Sequence, residues 1–259
     1  MPALFVGHGS PMNAIERNTF SDAWIALGEQ LPKPEAILSV SAHWFTRGTK
    51  INRSPETKMV YDMYGFPDEL YRVVYPAPGS PLFSQKAKLL LEDRADFDDS
   101  WGLDHGSWSV LRRLFPKADV PVFQVSVDAY ASMEDHFAMG ERLQALRDEG
   151  VLILGSGNIV HNLGRVDWQS AGGFPWAHDF DGYVKQAILS RSLERVIRYQ
   201  EAGEPARLAV PTPDHYAPLL YVLGASEGSD RVRVFNEACV MGSLSMTGYL
   251  FESSADNVV

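Results

Sequence analysis

At 259 residues the chain is long enough for one large α/β domain that buries about three-quarters of its unfolded surface, so folding needs no disulfides. Its single cysteine, Cys239, sits in an apolar stretch and reads as core; it excludes an intrachain disulfide framework and points to a reducing, cytoplasmic compartment. The net charge of −10 argues against nucleic acid as a partner; no secretory leader precedes the first strand, and no apolar run approaches the ~20 residues of a membrane span.

PALFVGHGSP reads as a strand over Ala3–Val6 running into a turn that carries His8. Thr19–Leu31 has helical spacing, with Phe20, Trp24, Leu27 and Leu31 on one side, and Pro32 and Pro34 stop it. Glu35–Ser41 is an apolar β-type run, and His43 follows it in SVSAHWFT. Residues 52–80, rich in Pro, Gly, Tyr and Asp, predict a long ordered excursion over the sheet. Its aromatics Tyr61, Tyr64, Phe66, Tyr71 and Tyr75 either wall an aromatic-substrate pocket or pack the loop.

Helices are expected over Pro81–Glu92 and Trp108–Phe115, with His105 just ahead of the second in LDHGSW, beside a flexible Gly106. Pro121–Val127 reads as a strand and Met133–Glu149 as a helix that keeps His136 at the surface. Val151–Leu154 is a strand leading through GSGNIVHN to His161. Phe180–Ala202 is helical; His178, just before it, either starts the helix near a pocket or is solvated. Pro213–Leu223 is helical, with Asp214 as its start residue rather than a partner of His215, because sequence neighbours in extended chain point apart. Asp104 has little functional part on the same ground. Val232–Phe235 and Ser243–Phe251 are the last strands, an antiparallel hairpin or edge. Strands alternating with helices predict a single α/β domain over residues 1–259, a central, mainly parallel mixed sheet flanked by helices.

Three of the histidines follow strand-like runs, and the carboxyl ends of parallel strands open on one crevice where ligands bind. His8, His43, His105, His161 and His215 each stand beside glycine, proline or small residues at the edge of an apolar run. Imidazoles converging there suit zinc, iron or copper rather than magnesium or calcium. Gly7, Gly9, Gly155 and Gly157 belong to no P-loop and no dinucleotide fingerprint; they read as tight strand-to-loop turns near a bound group. There is no G-x-S-x-G elbow, no HExxH and no cysteine cluster. A zinc hydrolase acting on an amide or ester through metal-activated water, and a non-enzymatic metal-holding protein, remain open beside oxidative chemistry.

The blocks MPALFVGHGSPMNAIE, ILSVSAHWFTRG, YPAPGSP, LDHGSWSVLRRLFP, GSGNIVHNL, PTPDHYAPLLYVLGA and GSLSM resemble, in order and over nearly the whole chain, the 4,5-DOPA extradiol dioxygenases. These belong to the class III ring-cleaving dioxygenases, with the catalytic subunit of protocatechuate 4,5-dioxygenase as a more distant relative. The resemblance implies cleavage of a small catechol such as DOPA beside its hydroxyl pair, both atoms of O2 entering a muconic semialdehyde-type product. It implies non-haem Fe(II) for activity, with Zn(II) able to occupy the site as isolated. It carries the metal pattern onto His8, His43 and His215, with His161 as a fourth site histidine, and the acid/base role onto His105 and His161. The distant relatives use two histidines and a glutamate, and this sequence offers His215 instead. For a substrate carboxylate the sequence offers Arg47 or Arg72, both equally readable as solvated. Trp44, Trp108 and Tyr216 either shape the ring pocket or belong to the core.

Overall fold

Runs dominated by apolar residues form strands buried on both faces, and four of them build the parallel half of the central sheet. The computed structural model describes residues 1–253. The sheet strands are β1 (Ala3–Gly7), β2 (Ala36–Ser41), β3 (Val122–Gln124), β4 (Val151–Gly157), β5 (Arg231–Phe235) and β6 (Gly248–Glu252). They lie in the order β3-β2-β4-β1-β6-β5. β3, β2, β4 and β1 run parallel; β6 is antiparallel to β1 and β5 antiparallel to β6. The expected mixed sheet with an antiparallel edge is thus present.

The pleat sends alternate side chains to opposite faces. Ala3, Phe5, Leu38, Val40, Val151 and Ile153 join one core with the helices Met133–Leu143, Pro175–Leu189 and Ala217–Ala225. Leu4, Val6, Ile37, Leu152 and Leu154 join the other with Thr19–Gln30 and His105–Leu114. Residues 52–80 cover that second face and are tied down by side chain to backbone bonds: Tyr61 Oη to the Val73 carbonyl, Tyr75 Oη to the Phe115 carbonyl, and Trp108 Nε1 to the Val60 carbonyl.

Several boundaries differ from the sequence reading for identifiable reasons. The expected helix Phe180–Ala202 begins at Pro175 and ends at Leu189. Arg191 takes φ +57°, its N–H donates to the Ile188 carbonyl, and that of Ser192 donates to the Ala187 carbonyl. This is a left-handed helix stop of the kind glycine usually provides, and with arginine at that position no glycine marks it. The helix expected at Trp108 starts at His105, because Asp104 caps it by accepting from the Ser107 N–H. The helix expected at Pro213 starts at Ala217, with no side-chain cap. Asp104, given little part by the sequence, is thus a helix cap, whereas Asp214, expected to start a helix, lies against the His215 ring.

Gly155 and Gly157 are not turn residues but lie within β4. A Cβ on Gly157 would stand 2.1 Å from the His215 carbonyl oxygen, and one on Gly155 would stand 2.5 Å from that of Pro218. The missing side chains let the segment leading into Ala217–Ala225 press against the strand, which carries His215 to the sheet's carboxyl edge.

Candidate metal centre

β1, β2 and β4 end level with one another: Gly7 pairs with Gly157, and Ser41 with Ser156. The residues that leave these ends therefore share one crevice. The His8 N–H donates to the Gly157 carbonyl, the Ala42 N–H to the Ser156 carbonyl, and the Asn158 N–H to the His215 carbonyl. Ligand nitrogens of His8, His43 and His215 all lie within 4.8 Å of one another.

The outer partners of these rings decide which nitrogen is free. Ser156 Oγ donates to the Gly106 carbonyl, so toward His8 Nδ1, 3.0 Å away, it acts as acceptor. His8 therefore carries its proton on Nδ1 and a lone pair on Nε2. His43 Nδ1 lies 2.9 Å from an Asp62 carboxylate oxygen, which also places the proton on Nδ1. His215 Nδ1 faces the Asp214 carboxylate, and its buried Nε2 has no hydrogen-bond partner. Three lone pairs thus turn inward, and His8 Nε2 stands 3.2 Å from His43 Nε2. Two donors at about 2.0–2.1 Å from a shared ion stand roughly 2.9–3.4 Å apart at octahedral or tetrahedral angles. A cation at the focus relieves the lone-pair repulsion, and outer partners that fix tautomers this way are typical of metal-ligating histidines. The residues fit a metal.

The electrostatics agree for His8 and His215. Burial, and then the neighbouring imidazoles, hold His8 and His215 well below the ordinary histidine value, so both rings are neutral donors. Burial pushes His43 down as well, but the hydrogen bond to Asp62 and the charges of Asp104, Asp62 and Asp214 outweigh it and raise the ring. Burial by itself would raise Asp62; its bonds to His105 and His43 win and hold it well below the usual carboxylate range.

Asp62 is the residue the sequence reading missed. Its Oδ1 accepts from both the backbone N–H and Nδ1 of His105, each at 3.0 Å, while its other oxygen faces His43. One carboxylate therefore joins a metal-site imidazole to His105. Its sequence signal is faint: one acid in the otherwise apolar and aromatic run Val60–Phe66. Gly106, expected to be flexible, is held in the first turn of the helix. A Cβ there would stand 2.7 Å from Ser41 Oγ and 2.9 Å from His43 Cδ2.

All five singled-out histidines line one cavity of about 530 Å³ with Asp62, and His161 groups with His215 and Asp214. Burial, before the opposing pull of Asp214, lowers His161 to about 4. Tyr64 and Phe66 line the cavity, as does Trp168, which the sequence did not suggest. Trp44, Trp108, Tyr75 and Tyr216 are core. His178 lies in the first turn of its helix and is exposed. His136, expected at the surface, is 1% exposed, with Nδ1 against Tyr221 Oη. Cys239 is buried, as expected. No helix of the described residues is long and apolar enough to cross a membrane.

The comparisons bear on the same chemistry. The chain is 46% identical over 252 residues to a 4,5-DOPA dioxygenase extradiol of Escherichia coli (strain K12), covering 95% of this chain and 93% of that one. It is 35% identical over 261 residues to the Beta vulgaris protein of the same name, covering 97% and 96%. The crystal structure of an uncharacterized protein from Escherichia coli K12 superposes with a TM-score of 0.85 at 43% identity, covering 96% of this chain and 99% of that one. Residues 5–252 match the family described as the catalytic LigB subunit of aromatic ring-opening dioxygenase. With lone pairs converging at the sheet's carboxyl edge and nearly its whole length matched, this chain belongs to that family, a family of metal-dependent ring-opening dioxygenases.

Proposed function

We propose that the protein cleaves a small catechol beside its hydroxyl pair, using a metal held by His8, His43 and His215, with His105 and His161 moving the protons. The observation that carries this reading is the inward convergence of three imidazole lone pairs beside two further histidines in one cavity. Iron and zinc both suit imidazole donors; reaction with O2 selects Fe(II). When bound, Fe(II) supplies the one-electron chemistry that lets a closed-shell ring react with O2. The balance is one C–C bond broken and both oxygen atoms retained in a muconic semialdehyde-type product, with no external reductant. DOPA is the substrate in the relatives' name, and a catechol of that kind is the proposed class here.

The chain's own residues then have defined tasks. His161 is held neutral by burial, with a value near 4, so its ring can accept a phenol proton once an anionic substrate oxygen beside it raises that value. His105 is fixed by Asp62 through Nδ1 and its backbone N–H, which leaves Nε2 for the substrate. A positioned histidine serves as acid and base in turn. The single unpaired cysteine supports a reducing, cytoplasmic setting, and we read residues 1–259 as one catalytic domain.

Anaerobic reconstitution with Fe(II), followed by catechol and air, tests this reading. One O2 consumed per ring, with a visibly absorbing product, is the expected result. Metal-dependent ester cleavage without oxygen uptake would overturn it in favour of a hydrolase.

A further inference from the structure

One buried carboxylate has no part in the chemistry described so far. Asp181, on the helix Pro175–Leu189, is 6% exposed. Ser245 Oγ donates to its Oδ1, and Thr247 Oγ1 donates to its Oδ2 at 2.9 Å. Hydroxyls rather than a cation thus hold both oxygens. Burial raises the carboxyl above its ordinary value, and the two hydroxyls only partly offset that. Burying a carboxylate without a cation is costly, so what the carboxylate holds in place matters.

Ser245 leads from Asp181 to His161. It belongs to the short strand Leu244–Ser245. Leu244 lines the cavity, and the next side chain along extended backbone points the other way, which takes the Ser245 hydroxyl to Asp181. The Ser245 N–H donates to the Val160 carbonyl at 2.9 Å, and the Ser245 carbonyl accepts from Asn158 Nδ2 at 2.7 Å. Ser243 continues the seam. Its carbonyl accepts from the Asn162 N–H at 3.1 Å, and its Oγ donates to the Asn162 carbonyl at 2.8 Å. Residues 158–162, which carry His161, are therefore laid along residues 243–245.

We propose that Asp181 is a positioning residue for ring opening: acting through Ser245, it sets the backbone at Val160 and so the place of the His161 ring beside the substrate. The inference rests on the ring-cleavage reading above, in which His161 moves a proton. Proton transfer needs the ring within hydrogen-bond reach of the substrate oxygen, about 2.6–3.2 Å. A displacement of about 1 Å arising far from the chemistry can cost about 10²-fold. Thr247 offers a matched control. Its hydroxyl bonds the same carboxylate, and its backbone N–H goes to Ser245 Oγ rather than to residues 158–162.

The test compares Ser245→Ala, Asp181→Ala, Asp181→Asn and Thr247→Ala. Steady-state kinetics with catechol use the Fe(II)-loaded enzyme. Ring ¹⁵N–¹H NMR uses the zinc-loaded protein, which is diamagnetic and needs no turnover; the His161 signals are those lost in His161→Gln. We expect Ser245→Ala and Asp181→Ala to keep one metal per chain and to shift the His161 signals. In both, kcat should fall about 10–100-fold with KM changed less than about twofold. Asp181→Asn, which keeps an acceptor for one hydroxyl, should regain most of kcat. Thr247→Ala should keep kcat within about twofold and leave the His161 signals in place, because it cuts no bond to the segment that carries His161. Should Asp181→Ala fail to fold, Ser245→Ala decides by itself. Unmoved kcat or unmoved His161 signals in Ser245→Ala overturn the proposal. So does a Thr247→Ala that loses as much kcat as Ser245→Ala, and so does loss of metal together with activity in Ser245→Ala. If the parent enzyme opens no catechol, the reaction reading fails, while the His161 signals still decide whether Asp181 positions the ring.

Discussion

The imidazoles of His161 and His215 lie face to face, ring centroids 3.4 Å apart and planes within 5°. A ring ligates through a lone pair in its own plane. Two parallel planes share no point, so an ion in the plane of His215 lies off the plane of His161 by nearly the stacking distance. In this arrangement the two rings do not ligate the same ion, and joining the metal requires His161 to turn. The stack favours a proton-transfer role for His161.

His161→Gln is therefore expected to keep one metal per chain and its anaerobic affinity for catechol, while kcat falls by about 10²–10⁴, the usual scale for lost acid–base catalysis. Metal analysis after dialysis against a chelator, beside single-turnover kinetics, checks this. Loss of metal together with activity would make His161 a ligand.

Asp62 touches both His43 and His105, so Asp62→Asn should move two quantities at once. Metal affinity should weaken about 10–100-fold, as when the outer partner of a ligating histidine is lost. At saturating metal kcat should stay depressed, because His105 has also lost its anchor. Competition with a fluorescent chelator measures the first, and turnover at high metal the second. Full recovery of kcat on adding metal would confine Asp62 to the metal site.

His136 gives a pH prediction away from the metal. Burial outweighs Asp128 and Asp135 and lowers its value from 6.5 to about 4. Above pH 6.5 the ring is neutral in both folded and unfolded chain. Between 6.5 and 4 the unfolded chain binds a proton that the folded chain refuses, so stability falls with acidification, by about 3 kcal/mol at pH 4. His136→Gln should flatten that part of the curve in urea denaturation at pH 7 and pH 4.5. An unchanged slope would refute the assignment.

Arg147 and Asp230 form a two-pronged pair at 2.8 and 3.1 Å, with side chains 3% and 0% exposed. Arg147 also donates to the carbonyls of Met1 and Ala225, tying β1's lead-in to the end of a helix. Asp230→Ala leaves a buried, unpaired guanidinium and should cost about 3–5 kcal/mol. The double variant Arg147→Met, Asp230→Leu should lose much less, since no charge is left unpaired. Chemical denaturation of the double variant, with Arg147→Met and Asp230→Leu singly, gives the coupling directly.

What the sequence determined by itself is local. The runs Ala3–Val6 and Val151–Leu154 are apolar at every position and Ile37–Ser41 is broken only by serines, which makes them strands buried on both faces, and parallel strands open on one crevice. Chain leaving such strands carries His8, His43 and His161 to the carboxyl edge of the sheet. The pairing of carboxylates with imidazoles was decided only by tertiary structure. Asp62 reaches His105 across 43 residues of chain, and no periodicity encodes a contact of that range. Asp104 and Asp214 each precede a histidine, yet one caps a helix and the other faces the adjacent ring; backbone conformation at each position decides, and the dipeptide does not record it. His136 lies in a polar helical stretch, but the helix Ala217–Ala225 packs over it and buries the ring against Tyr221. The stack of His161 on His215 arises because the bare glycines of β4 admit the segment carrying His215. Each of these depends on which elements meet, a property of the packed chain rather than of any window along it.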